Sequence, residues 1–162
     1  MRTAVLSLAT LAVLATTVGA QAKPDFSGTW KRNAEKSDAM GMGGGGGGGA
    51  GAAMATATTV ITQTADKLTL EIKMGEMSRS LSYSLDGKES VNPGMRGGET
   101  KSIAKWDGAN LVIESTAVMG ERTINSKEVR SLSADGKTMT VTTTRPGQDG
   151  TERTTKAVYD KQ

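Results

Sequence analysis

Residues Lys67 to Gly87 read KLTLEIKMGEMSRSLSYSLDG, and their alternation decides the fold. Leu68, Leu70, Ile72 and Met74 fall on one side of an extended chain, while Thr69, Glu71 and Lys73 fall on the other. After Gly75 the pattern resumes: Met77, Leu81, Tyr83 and Leu85 share a face with Arg79, and Ser78, Ser80, Ser82 and Ser84 form the opposite, water-facing one. Two strands joined by a glycine and closed by Asp86-Gly87 make a hairpin with one greasy side.

The same punctuation recurs along the chain. Asp107-Gly108, Asp135-Gly136 and Asp149-Gly150 repeat the Asp86-Gly87 signal, with Ala65-Asp66 as a weaker fifth turn. Asp-Gly suits the positive φ angles of tight hairpins. Between the turns Thr, Val, Ile and Leu dominate without a helical period, which predicts strands over 27–32, 57–64, 67–74, 77–85, 99–106, 110–118, 121–133, 138–145 and 151–160. Trp106 aligns with Ala104 and Ser102, Leu111 with Ile113, Ile124 with Leu132, Met139 with Val141, and Tyr159 with Ala157. A meander of this kind hides its apolar face by closing on itself. The expected fold is therefore all-β, an antiparallel up-and-down barrel of about eight to ten strands in which closure removes the unpaired edges.

The ends and the composition set the context. Residues 1–22 carry Arg2, an apolar stretch from Ala4 to about Val18, and Ala20-Gln21-Ala22 as a cleavage signal, which reads as a secretory signal peptide. The mature chain, 23–162, is then a single exported domain, periplasmic or extracellular, with no stable membrane insertion after cleavage. Residues 40–54, from Met40 through the glycine run to Met54, have too little side-chain area for an ordered element and are expected to form a disordered insertion. No Gly-Lys-Ser or Gly-Lys-Thr follows the run, so it is no phosphate cradle.

The composition also narrows the function. The chain of 162 residues has no Cys and no His, which removes disulfides, thiol nucleophiles, zinc ribbons and the usual general base. Ser102 and Lys105 have the spacing of a Ser-x-x-Lys pair, but on a strand positions three apart face opposite ways. An enzyme is not indicated, nor is a cofactor. Without Arg2 the charge is 19 basic against 17 acidic, with the basic residues scattered. Two Trp, two Tyr and one Phe offer no base-stacking platform, so nucleic acid is not an expected partner.

The opening phrase of the mature chain, Ser27-Gly28-Thr29-Trp30, resembles the Gly-x-Trp first strand of lipocalins and fatty-acid-binding proteins, whose Trp closes the barrel floor. The final strand, Thr155 to Tyr159, is similar to that of fatty-acid-binding proteins, where an Arg-x-Tyr pair holds a ligand carboxylate; Tyr159 matches, and Ala157 stands in place of the Arg. In those proteins two helices cap the barrel where this chain has its glycine run. Lys105-Trp106-Asp107-Gly108 and Ser133-Ala134-Asp135-Gly136-Lys137 also resemble phrases of small exported bacterial proteins.

The resemblance implies non-covalent binding of a small apolar or amphipathic molecule in the lumen. Inward-facing candidates for its lining are Trp30, Leu70, Ile72, Arg79, Leu81, Tyr83, Trp106, Ile113, Glu128, Arg130 and Tyr159. Charges on an inward face need partners: Arg79, Glu128 and Arg130 either pair internally and line a wet cavity, or sit at the rim or on a bulge that turns them outward. Two alternatives from other classes remain. One is an envelope or extracellular interaction protein whose barrel is solidly packed. The other is a soft-metal binder holding Cu(I) or Ag(I) through Met40, Met42 and Met54.

Overall fold

The computed structural model describes residues 23–38, 57–94, 98–120, 122–147 and 150–162. The expected signal peptide and the glycine run with Met40, Met42 and Met54 lie outside them. Ten strands follow one another: β1 (Gly28–Asn33), β2 (Thr58–Gln63), β3 (Lys67–Met74), β4 (Met77–Ser84), β5 (Glu89–Pro93), β6 (Glu99–Asp107), β7 (Asn110–Met119), β8 (Arg122–Leu132), β9 (Thr138–Pro146) and β10 (Glu152–Lys161). They form one antiparallel sheet in the order β4-β3-β2-β1-β10-β9-β8-β7-β6-β5. The first strand pairs with the last, Trp30 opposite Lys161 and Arg32 opposite Tyr159, so the sheet curls into a nearly closed barrel.

Three sequence expectations need correction. The tenth strand is β5, which its Pro93, its single apolar residue Val91 and its short length conceal. Closure is also incomplete, because the edge strands β4 and β5 have no backbone ladder between them. Side chains take its place. The Asn92 carboxamide accepts from the Ser82 N–H at 2.7 Å and donates to the Ser82 carbonyl at 3.0 Å. Ser90 Oγ accepts from the Ser84 N–H at 2.8 Å, and Arg79 Nη2 donates to the Pro93 carbonyl. The third correction concerns the turns. No described residue other than glycine has positive φ, so Asp86, Asp107 and Asp135 do not adopt the left-handed conformation themselves. Gly87, Gly108 and Gly136 carry it, at 82°, 58° and 67°. Asp86 and Asp135 act through their carboxylates instead, each accepting the N–H two residues on at 3.0 Å, from Lys88 and Lys137.

Strand direction separates the two ends. The β2–β3, β4–β5, β6–β7 and β8–β9 turns lie at one end, where β1 begins and β10 finishes. Here Phe26 and Trp30 are wholly buried with Leu68, Leu111 and Met139. The segment before β1 seals this floor: Gln63 accepts from the Phe26 N–H at 3.0 Å and donates to the Pro24 carbonyl at 3.0 Å, and Trp30 Nε1 donates to the Phe26 carbonyl at 2.8 Å. Phe26 stacks on Trp106 with centroids 6.1 Å apart. Lys161 Nζ lies 5.4 Å from the Trp30 ring centre, and its stem passes where a Cβ on Gly28 would be, 2.6 Å from Lys161 Cε. With φ at +136°, this position of the Gly-x-Trp phrase requires glycine.

Candidate functional site

Above the floor the interior changes character. Arg130 on β8 is buried, its side chain 8% exposed, and its Nε donates to Glu128 Oε1 at 2.6 Å. Period-two geometry puts both on the inward face with Ile124 and Leu132, which selects the internal-pair reading over the rim or bulge. Strand pairing places Leu111 and Val141 beside Arg130, and Ile113 and Thr143 beside Glu128. A guanidinium in such surroundings loses its hydration, and the adjacent carboxylate compensates.

Two tyrosines flank the pair. Burial pushes the Tyr83 phenol up to about 12, the Glu128 charge adds to the rise, and Arg130 and Arg79 oppose it. Tyr159 is raised as well, chiefly by burial, with Arg130 opposing, Glu128 adding and Arg32 opposing. Both phenols are therefore neutral donors at physiological pH. For Arg130, burial works against the charge, yet Glu128 and the two tyrosines leave its pKa raised. On the last strand Ala157, not an arginine, stands two residues before Tyr159, and Arg130 of β8 supplies a guanidinium near it.

Arg32 and Arg79 add two more cations. Arg32 follows Trp30 by two residues on the inward face of β1, and its Nη2 donates to the Asp38 carbonyl at 2.9 Å. Arg79 shares the inward face of β4 with Leu81 and Tyr83. The Nε atoms of both arginines are buried without a hydrogen-bond partner, as is Trp106 Nε1. A buried donor left unmatched costs about 1–3 kcal/mol, so these three N–H groups mark places where a partner is missing.

The other lining candidates divide by exposure. Trp30, Leu70 and Ile113 are 0–2% exposed and belong to the packed core. Ile72, Leu81, Trp106 and Tyr159 are half-buried. Arg32 was not among the sequence candidates, although its place two residues after Trp30 was the available signal. Also overlooked were the inward hydroxyls Ser115, Ser126, Thr143 and Thr155, because small polar residues resemble any exposed strand face. An open concavity of about 920 Å³ is lined by residues of β5 to β10, among them Lys101, Glu114 and Lys127 together with Ser102, Ser115 and Ser126. A smaller one of about 400 Å³ adjoins it around Val118.

Known structures share this fold. A fatty acid transporter, REP1-NXSQ, superposes with a TM-score of 0.63 at 18% identity, covering 85% of this chain and 96% of that one. The apo form of Caenorhabditis elegans lipid binding protein 8 gives 0.62 at 13% identity, over 85% and 95%. Zebrafish ileal bile acid-binding protein, complexed with cholic acid, gives 0.59 at 18%, over 85% and 98%. The chain is thus a lipocalin-like barrel whose structural neighbours include fatty-acid- and lipid-binding proteins. No family model and no curated protein matches its sequence.

Proposed function

We propose that this chain is an exported, non-enzymatic carrier that holds one small amphipathic molecule in its barrel, with an acidic group of the ligand directed at the interior arginines. One observation carries the reading: the inward faces of β1, β4 and β8 carry Arg32, Arg79 and Arg130, Glu128 pairs with Arg130, and Arg32 and Arg79 each have an unmatched buried Nε–H. An anion inside the barrel would match those donors and the surplus charge, while the half-buried Ile72 and Leu81 accept an apolar body. The fatty acid transporter and the cholic acid complex among the structural neighbours support the same chemistry. Localisation outside the cytoplasm rests on the leader-like residues 1–22.

Titration with anilinonaphthalene sulfonate, an anionic fluorescent probe, tests the reading. Saturable binding at one probe per chain is expected, with displacement by oleate and at least about tenfold weaker affinity in Arg79→Met. Absence of saturable binding overturns it. A second reading, an extracellular interaction protein, is favoured by the open 920 Å³ concavity and its charged rim of Lys101, Glu114 and Lys127. Capture of a protein partner that survives Arg79→Met but not Lys127→Glu would support that alternative.

A further inference from the structure

The two kinds of cation are sorted between the faces of the sheet. On the strands, every lysine except Lys161 lies on an outward face and is exposed. Every strand arginine among the described residues has the opposite parity: Arg32, Arg79, Arg122, Arg130, Arg145 and Arg153 fall on the inward series. They are graded by depth. Arg130 is buried, Arg32 and Arg79 are half-buried, and Arg122, Arg145 and Arg153 are exposed at the mouth. Among the described strand residues, Glu128 is the carboxylate that shares this parity, and it is already bonded to Arg130. Ammonium groups are strongly hydrated and suit an outer wall, whereas the weakly hydrated guanidinium fork matches planar oxyanions.

Arg32 and Arg79 form two separate stations. Each is tethered through Nη2 to a backbone carbonyl, Arg32 to Asp38 at 2.9 Å and Arg79 to Pro93, and each keeps a buried Nε–H without a partner. The tethers draw the two heads apart around the wall. Asp38 is bonded to Lys156 of β10, on the side of β1 away from β2, and Pro93 belongs to β5, on the side of β4 away from β3. Each station also has its own phenol, the Arg79 charge acting on Tyr83 and the Arg32 charge on Tyr159. Register gives the spacing. Arg79 pairs with Ile72, Ile72 with Thr59 and Thr59 with Trp30, so Arg32 lies three strand steps away and two residues nearer the mouth. With strands about 4.8 Å apart and a rise of about 3.4 Å per residue, the two Cα atoms are at most about 16 Å apart. A single carboxylate reaches one station and leaves the other unmatched.

From this arrangement we infer that the ligand is a diacid: an apolar chain or frame with one acidic group at Arg79 and Tyr83 and a second at Arg32 and Tyr159. Half-buried Ile72 lies on the wall between the stations and meets the apolar part. The inference rests on the ligand reading above and narrows it. Two acids match both orphaned donors and both unpaired cations, where one acid leaves a buried N–H without an acceptor.

Dodecanedioate and dodecanoate, which share a chain length and differ by one terminal carboxylate, test it. Isothermal titration with the full chain is expected to give at least about tenfold tighter binding of dodecanedioate. A barrel with one acid station gives the reverse order, because the second charge loses its water without gaining a cation. The tenfold advantage is expected to vanish in Arg32→Met and in Arg79→Met alike, each of which leaves one station. Equal or reversed affinities in the parent chain, or an advantage that survives either substitution, overturn the inference. If neither acid binds while anilinonaphthalene sulfonate still saturates, the two-acid inference falls and the carrier reading stands. If the sulfonate probe fails too, both fall. Circular dichroism spectra of the variants matching the parent tie the change to the guanidinium groups, and Arg32→Gln or Arg79→Gln replaces a methionine variant that does not fold.

Discussion

The floor and the barrel interior above it are built from the same strands, yet they obey different packing rules. At the floor most inward positions are filled by large apolar groups, and the polar atoms of Trp30 and Gln63 that enter it are matched, Trp30 Nε1 to the Phe26 carbonyl and the Gln63 carboxamide to Pro24 and Phe26. Above it Ser, Thr and charged side chains join the apolar ones on the inward faces, and the buried Nε–H donors of Arg32 and Arg79 lack partners. Under the carrier reading, stability and ligand selectivity fall to separate levels of one sheet. A natural fold tolerates unmatched polar groups where a ligand completes them.

The largest test of this contrast is truncation at the floor. Trp30→Ala removes a fully buried indole and its hydrogen bond, and is expected to cost about 4 kcal/mol in urea denaturation. Ser126→Ala in the interior above it should stay within about 0.5 kcal/mol. Comparable losses at the two sites would break the distinction.

A smaller effect is expected from the polar belt between them. Arg130→Met leaves Glu128 inside without its cation and should cost about 3 kcal/mol, whereas Glu128→Gln/Arg130→Met should recover most of that loss. If the double variant is as unstable as the single one, the pair is holding the fold and does not merely tolerate its position. Smallest is the pH response. Tyr83 holds its proton in the folded chain up to about 12, against 10.0 for its ordinary value. Between those limits the unfolded chain binds fewer protons than the folded one, so this contribution to stability is present below pH 10 and is lost as pH rises toward 12. Tyr83→Phe should flatten the decline measured by denaturant titration across that window.

Much of the barrel was legible because burial on one side of a strand writes itself as alternation. Leu68 to Met74 and Met77 to Leu85 announce their inward faces without any tertiary information, and Gly28-Thr29-Trp30 marks the floor. Other features resisted for physical reasons. Strand β5 has one apolar residue and a proline, and it bonds across the barrel through Ser90 and Asn92 side chains, which no periodicity reports. Asp86-Gly87, Asp107-Gly108 and Asp135-Gly136 located the β4–β5, β6–β7 and β8–β9 turns, yet the division of labour at Asp86 and Asp135, glycine bending while aspartate caps, depends on backbone angles. Arg79, Glu128 and Arg130 were visible as inward charges. That Glu128 satisfies one guanidinium while Arg32 and Arg79 retain unmatched donors is a matter of three-dimensional reach.

The gap between β4 and β5 has a consequence for how the molecule behaves in a crowd. Each of these strands has a backbone edge without a ladder partner, with Met77 and Val91 exposed. Such rims template intermolecular sheets. By occupying both the N–H and the carbonyl of Ser82, one carboxamide from Asn92 denies a neighbouring molecule its landing place, which makes position 92 a guard against fibril growth as much as a rivet.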